Sequence, residues 1–248
     1  MFMKTLAFLA AMLGSDEGRS APPAQPAPVR VAQATAAPAR TASAVVDRVQ
    51  AFYRDTQQLS AVFRQTTRNE TFGKTSTSDG RVYLKKPGKM RWDYYSKRNK
   101  NEVTKSQMSD GDTLWVVDMK GKWYYRQNLA DSALPVAVTF LTGKGNLKSD
   151  FNAKMATSKK YGGKNDIVLE LTPKKPSAQF KQLFLVVDPG NYRVKQSIVI
   201  NAAGDVNQFA FYEPNTKKAV ADTTFVFNPK SSAARGFREI KPEQAPKQ

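Results

Sequence analysis

The sequence contains no cysteine and no histidine. The first absence excludes disulfides, thiol nucleophiles, zinc–thiolate centres and lipid attachment at an N-terminal cysteine. The second excludes a Ser-His-Asp triad, histidine-ligated metals and a base poised near neutral pH. Acidic residues are scarce beside basic ones, 21 against 39, for a net charge of +18. That balance favours anionic partners and says nothing about fold. No phosphate-binding loop is present, because Gly143-Lys144-Gly145 and Gly162-Gly163 lack the required spacing and context. Asp110 and Asp112 flank Gly111 with too few further ligands for calcium and read as a hairpin turn. No catalytic residue, cofactor or metal is therefore expected. Long apolar runs are missing too, since a membrane-spanning helix needs about 20 such residues.

What is there divides the 248 residues into four parts. Residues 1–21 combine Lys4, a short apolar run from Leu6 to Leu13 and a small residue at Ala21, the pattern of a secretory signal peptide cleaved on export to the periplasm. Residues 22–42 hold five prolines, eight alanines and no aromatic or acidic residue, a composition that reads as a flexible tether. A folded domain is expected over 43–230, followed by a basic tail, 231–248, that frays.

The domain begins with a helical stripe: Val45, Val49 and Phe52 recur at i, i+4 and i+7, with Ser43 as the expected N-cap and an end near Gln58. Beyond Leu59 the period becomes two. Short strands are expected at 61–67, 80–86, 90–96, 102–108, 114–118, 123–127, 151–158, 167–172, 182–187, 192–200, 206–212 and 223–228, separated by Gly-, Pro- and Asp-rich turns. The interruption at 131–143 is apolar without alternation and predicts a short helix.

The stretch GRVYLKKPGKMRWDYYS, Gly80 to Ser96, mixes cations with aromatics. Read with period two, Val82, Leu84, Met90, Trp92 and Tyr94 fall on one face, and Arg81, Tyr83, Lys85, Arg91, Asp93 and Tyr95 on the other, so the cations and most of the large apolar groups separate. A nucleic-acid platform needs rings and cations together. Sorted faces instead predict a greasy inside and a solvated basic outside, and no nucleic acid as partner.

The runs GRVYLKKPGKMRW, SDGDTLWVVD, LTPK and FVFNPK, in that order, resemble the LolA family of periplasmic lipoprotein carriers over about Ser43 to Lys230. The resemblance implies a mainly β fold: an incomplete, strongly curved antiparallel β-barrel with a helical lid over an apolar cavity. It implies acylated lipoproteins as cargo, an inner-membrane ABC-type release complex as donor and an outer-membrane lipoprotein acceptor as recipient. The chain is expected to act as a monomer, with transient contact to anionic membrane surfaces. Phe63, Val82, Leu84, Met90, Trp92, Tyr94, Trp115, Leu183 and Phe209 would line the cavity, with Phe52 from the helix and Lys86 at the rim. Leu134, Val138, Phe140 and Leu141 would form the lid. Two positions depart from the family pattern. Lys86 stands where an arginine fork usually latches the lid, and a point charge is no substitute for a planar fork. Met90 replaces a usual aromatic and softens the cavity mouth. The alternative reading keeps the fold but makes it a basic envelope-binding or lipid-sensing module for lipid, lipopolysaccharide or anionic glycan, without shuttling.

Overall fold

The computed structural model describes residues 40–132, 141, 145–157, 160–175 and 180–246. The period-two segments pair into one sheet of twelve strands. Strands β1 (Gln58–Arg68), β2 (Thr75–Lys85), β3 (Lys89–Tyr95), β4 (Val103–Ser109), β5 (Thr113–Asp118) and β6 (Trp123–Asn128) form an antiparallel meander. A second meander contains β7 (Phe151–Met155), β8 (Ile167–Pro173), β9 (Gln182–Val187), β10 (Val194–Ile200) and β11 (Val206–Asn215). The two meet where β11 runs antiparallel to β1, from Ser60↔Asn215 to Arg68↔Val206. Register shifts at Ser60/Val62, Val194/Gln196 and Tyr94/Tyr95 mark irregularities at which strands bend. The outer strands of this order do not pair with each other, so the sheet curves without closing. This is the expected mainly β, incomplete barrel.

Helix α1 (Ala42–Asp55) covers the concave face. Its N-cap is Thr41, two residues before the expected Ser43, with Thr41 Oγ1 accepting from the Ala44 N–H at 3.2 Å. Val45, Val46, Val49 and Tyr53 are buried against the sheet. The Tyr53 hydroxyl accepts from the Val194 N–H at 3.2 Å, and burial raises its pKa. The short helix α2 (Leu147–Asp150) braces the start of α1: Lys148 Nζ lies 2.8 Å from Asp47 Oδ1, and the Lys148 N–H donates to Gln50 Oε1 at 3.1 Å.

Two expectations for the C-terminal region fail. Residues 223–228 form no strand, and Asp222–Phe225 is instead a 3₁₀ turn. The tail does not fray through 246. It crosses the convex face as a strap, with Phe225 fully buried, and adds β12 (Arg238–Glu239) parallel to β6. The physical reason is a second apolar patch, Met108, Trp115, Val117 and Tyr124, on the convex side of β4–β6; Phe227 and Phe237 cover it. The basic face of β2–β3 is likewise occupied. Lys85 and Lys89 reach Asp222 at 2.7 and 3.0 Å, and an Arg91 N–H donates to the Thr224 carbonyl at 3.2 Å. Asp110 is the expected turn residue: its Oδ1 accepts from the Asp112 and Thr113 N–H groups at 3.0 and 2.9 Å.

Gly80 sits where β2 passes beneath the Phe63 ring, and a Cβ there would lie 2.1 Å from the Asp93 carbonyl and 2.5 Å from Phe63 Cζ. Gly80→Ala should therefore cost about 1–3 kcal/mol through overpacking, read as a lower urea midpoint with an unchanged slope. A midpoint equal to wild type would show that the Phe63 ring and the Asp93 backbone both give way freely. On the β1–β2 hairpin, Arg64 stands opposite Asp79 with Nε 2.8 Å from Oδ1, and this contact brings the Asp79 pKa down to about 2. A depressed carboxyl stabilises the fold above its unfolded pKa near 3.9 and loses that contribution as pH falls through about 2. Both groups are partly solvated, so screening by water keeps the contribution small. Acid titration of unfolding should show Asp79→Asn less stable than wild type at neutral pH and equal to it near the bottom of that window.

Candidate functional site

The concave face carries the candidate site, and its chemistry changes along the strands. Alternation aims Leu59, Ala61 and Phe63 of β1 inward with Val82 and Leu84 of β2, Met90, Trp92 and Tyr94 of β3, and Phe209 and Phe211 of β11. Continuing along β1, the same face carries Gln65 and Thr67, and its neighbours become Ser78, Ser76 and Asn207. The interior is apolar at the α1 end and polar at the other.

Between these zones lies an aromatic cluster. The Phe63 ring centre is 5.1 Å from Trp92, 5.2 Å from Tyr94 and 5.9 Å from Phe209. Trp92 is 5.1 Å from Phe209, and Phe209 stacks on Phe211 at 6.4 Å. Such geometries add about 0.5–1.5 kcal/mol per pair beyond area burial. Two polar atoms at this level are buried without a hydrogen-bond partner among the described residues, Trp92 Nε1 and Ser197 Oγ, the latter on the residue facing Phe209 across β10 and β11. Orphaned buried groups cost about 1–3 kcal/mol each.

Most of the expected lining residues share one hydrophobic cluster. Phe63, Val82, Leu84, Met90, Trp92, Tyr94, Leu183, Phe209 and Leu141 are buried in it, and Phe52 packs against it partly buried. Trp115 is a correction: Leu114 and Val116 point inward, so strand alternation sends Trp115 to the convex patch beneath the strap. Leu134, Val138 and Phe140 lie outside the described residues.

The apolar zone is not an empty cavity in this structure. Side chains of α1 fill it, and the space left beside Tyr53, Leu59 and Leu141 is only about 10 Å³, room for at most one water. A cavity of about 690 Å³ opens at the polar end between Gln65, Ser78, Tyr94, Phe180, Val199 and Asn207. Its polar wall was missed from the sequence, although period two places Gln65 on the face of Phe63 and Asn207 on the face of Phe209.

Lys86 occupies the closed end. Its ammonium donates to the carbonyl of Arg54 in the last turn of α1, and its backbone N–H donates to the Gln57 carbonyl at 2.9 Å. The last four carbonyls of a helix lack intrahelical donors, and a cation there also complements the helix dipole. Partial burial lowers the Lys86 pKa, with Arg54 acting in the same direction and Asp55 opposing. The residue thus holds the entry helix down on the sheet.

Comparison with known proteins follows this geometry. The sequence profile of the family described as "Outer membrane lipoprotein carrier protein LolA" matches residues 54–228. An outer-membrane lipoprotein carrier protein of Dechloromonas aromatica is 22% identical over 188 residues, 76% of this chain and 85% of that protein. One from Neisseria meningitidis serogroup C is 27% identical over 202 residues, 80% of this chain and 90% of the relative. The crystal structure of a LolA superfamily protein from Nitrosomonas europaea aligns with a TM-score of 0.42 at 14% identity, covering 76% of this chain and 99% of that one.

Removing the grip at the closed end should loosen α1 selectively. Lys86→Ala should cost about 0.5–1.5 kcal/mol, speed amide exchange in the last turn of α1 and accelerate uptake of a fluorescent fatty acid. Lys86→Arg, which brings a planar fork to the same carbonyl, should slow both that exchange and the uptake. Equal protection and equal uptake in the alanine variant would remove Lys86 from this role.

Proposed function

The chain belongs to the LolA family of outer-membrane lipoprotein carrier proteins, and from that premise we propose that it binds the acyl chains of lipoproteins against the concave face of the sheet and ferries them through the periplasm. At the level of the family the role is lipoprotein carriage, a matter of binding and transport rather than catalysis. In the proposed cycle an inner-membrane ABC-type complex delivers the cargo and an outer-membrane acceptor takes it. The leader at residues 1–21 directs export. The charge of +18 draws the protein to anionic membrane surfaces between the two transfers.

The observation that carries this reading is the cover over the greasy interior. Among the described residues the amphipathic helix α1 covers most of it, and polar contacts brace that helix near both ends: Asp47 and Gln50 to Lys148, and Lys86 to the Arg54 carbonyl. A helix seated this way is a plug that cargo displaces. The energies are comparable. Burying an aliphatic side chain of α1 contributes about 1.5–3 kcal/mol, and each acyl methylene about 0.8 kcal/mol. Three valines and a tyrosine on α1 therefore compete with a long acyl chain for the same surface. Such competition weakens net affinity and makes release possible, which a shuttle needs and a storage protein does not.

Titration with lipopeptides whose acyl chains lengthen from dodecanoyl to hexadecanoyl tests the proposal. Affinity should climb by up to about fourfold per methylene, and the full chain should release lipoproteins from inner-membrane vesicles. Affinity indifferent to chain length but abolished by roughly 0.3 M salt would replace the carrier with the surface-binding alternative.

A further inference from the structure

We infer that the polar cavity at the open end is a headgroup subsite, which takes the carbonyl-rich glyceryl and amide head of a multiply acylated ligand while its chains run toward the aromatic cluster. The inference rests on the reading of the interior as an acyl-chain site and adds the part of the ligand that apolar contacts cannot recognise.

The argument starts from register. One row across β1, β11 and β10 is Gln65, Phe209 and Ser197, and the next row outward is Thr67, Asn207 and Val199. The boundary between apolar and polar surface thus falls within one strand repeat. A pocket meant only for hydrocarbon gains nothing from polar groups at such a boundary, because each one must shed water when the ligand enters. Carbonyl groups sit at the same kind of boundary in an acylated glycerol, between the chains and the wet head.

The hydrogen-bonding inventory fits carbonyls and amides. Gln65 Nε2 donates to Asn207 Oδ1 at 3.0 Å, which orients both side-chain amides and leaves Gln65 Oε1 and Asn207 Nδ2 unpaired among the described residues. Ser78 also lines this space, and its hydroxyl has no partner among them. In the neighbouring rows, away from the cavity wall, Trp92 Nε1 and Ser197 Oγ are buried donors without acceptors among the described residues. An unpaired acceptor beside several unpaired donors suits an ester and amide head better than a bare carboxylate. Lys105 adds positive potential to the wall while its Nζ lies 4.3 Å from the centre of the Tyr94 ring, and Arg68 and Lys74 stand nearby. The volume, about 690 Å³, is within the range of roughly 300–1,000 Å³ common to small-ligand pockets.

The same glyceryl ester chemistry occurs at the acylated end of a lipoprotein and in a phospholipid, so the test uses both. Binding of a synthetic diacylglyceryl lipopeptide, phosphatidylglycerol and palmitic acid is measured by calorimetry on the full chain. The variants are Gln65→Leu, Asn207→Leu and, as a milder change, Ser78→Ala, each checked for an unaltered melting transition. The variants should weaken lipopeptide binding by about fivefold or more per lost hydrogen bond and leave palmitate within about twofold. Equal loss for phosphatidylglycerol assigns the contact to the glyceryl esters, and loss confined to the lipopeptide assigns it to the peptide amide; either supports a headgroup site. Variants that leave lipopeptide binding intact, or reduce palmitate equally, overturn it. Wild-type protein that binds none of the three defeats the carrier reading itself, a different failure.

Discussion

The seating of α1 in the concave face is the interaction on which the rest depends. A twelve-stranded sheet that curves without closing leaves a broad apolar surface turned inward and nothing on the opposite wall to pack against. Helix α1 supplies the missing layer with Val45, Val46, Val49 and Tyr53. The positions of its neighbours follow. Helix α2 braces its first turns, Lys86 caps its last carbonyls, and Val194 donates to the tyrosine that lies deepest. A closed barrel would need none of these. An unclosed one has a removable side, and what covers that side decides what else can occupy the interior.

The convex face solves the complementary problem. Its cations look from sequence like a solvated surface, yet Lys85, Lys89 and Arg91 are engaged by the C-terminal strap through Asp222 and the Thr224 carbonyl. The strap also covers Trp115 and Tyr124 and pairs β12 along the exposed edge of β6. An unpaired edge strand invites pairing between molecules. One edge of the sheet is therefore protected by Arg238 and Glu239.

Much of this was legible because period two is a strong local signal. The alternation of Val82, Leu84, Met90, Trp92 and Tyr94 placed all five in one cluster, and eleven of the twelve strands lie close to the expected positions. What was missed depends on distant partners. β12 is two residues long and exists only because β6 has a free edge. The family resemblance implies a cavity role for Trp115, but the parity set by Leu114 and Val116 turns it to the convex side. The polar end of the interior was overlooked for the opposite reason. Gln65 and Asn207 have the right parity, but polar residues at inward positions read as strand ends unless the neighbouring strands are known.

The position of the strap in the chain also imposes an order of events. Residues 220–246 are the last part of the described fold to be made, and β11, which joins the two meanders, comes just before them. Until β11 arrives, β1 has a neighbour on one side only, and until the strap arrives Met108, Trp115 and Tyr124 stay uncovered. The ladder between Arg68 and Val206 spans a long sequence separation, the kind of contact that slows folding. A ribosome or translocation channel that still holds the final segment therefore holds an unfinished sheet. Residues 220–246 thus act as the clasp of the described fold.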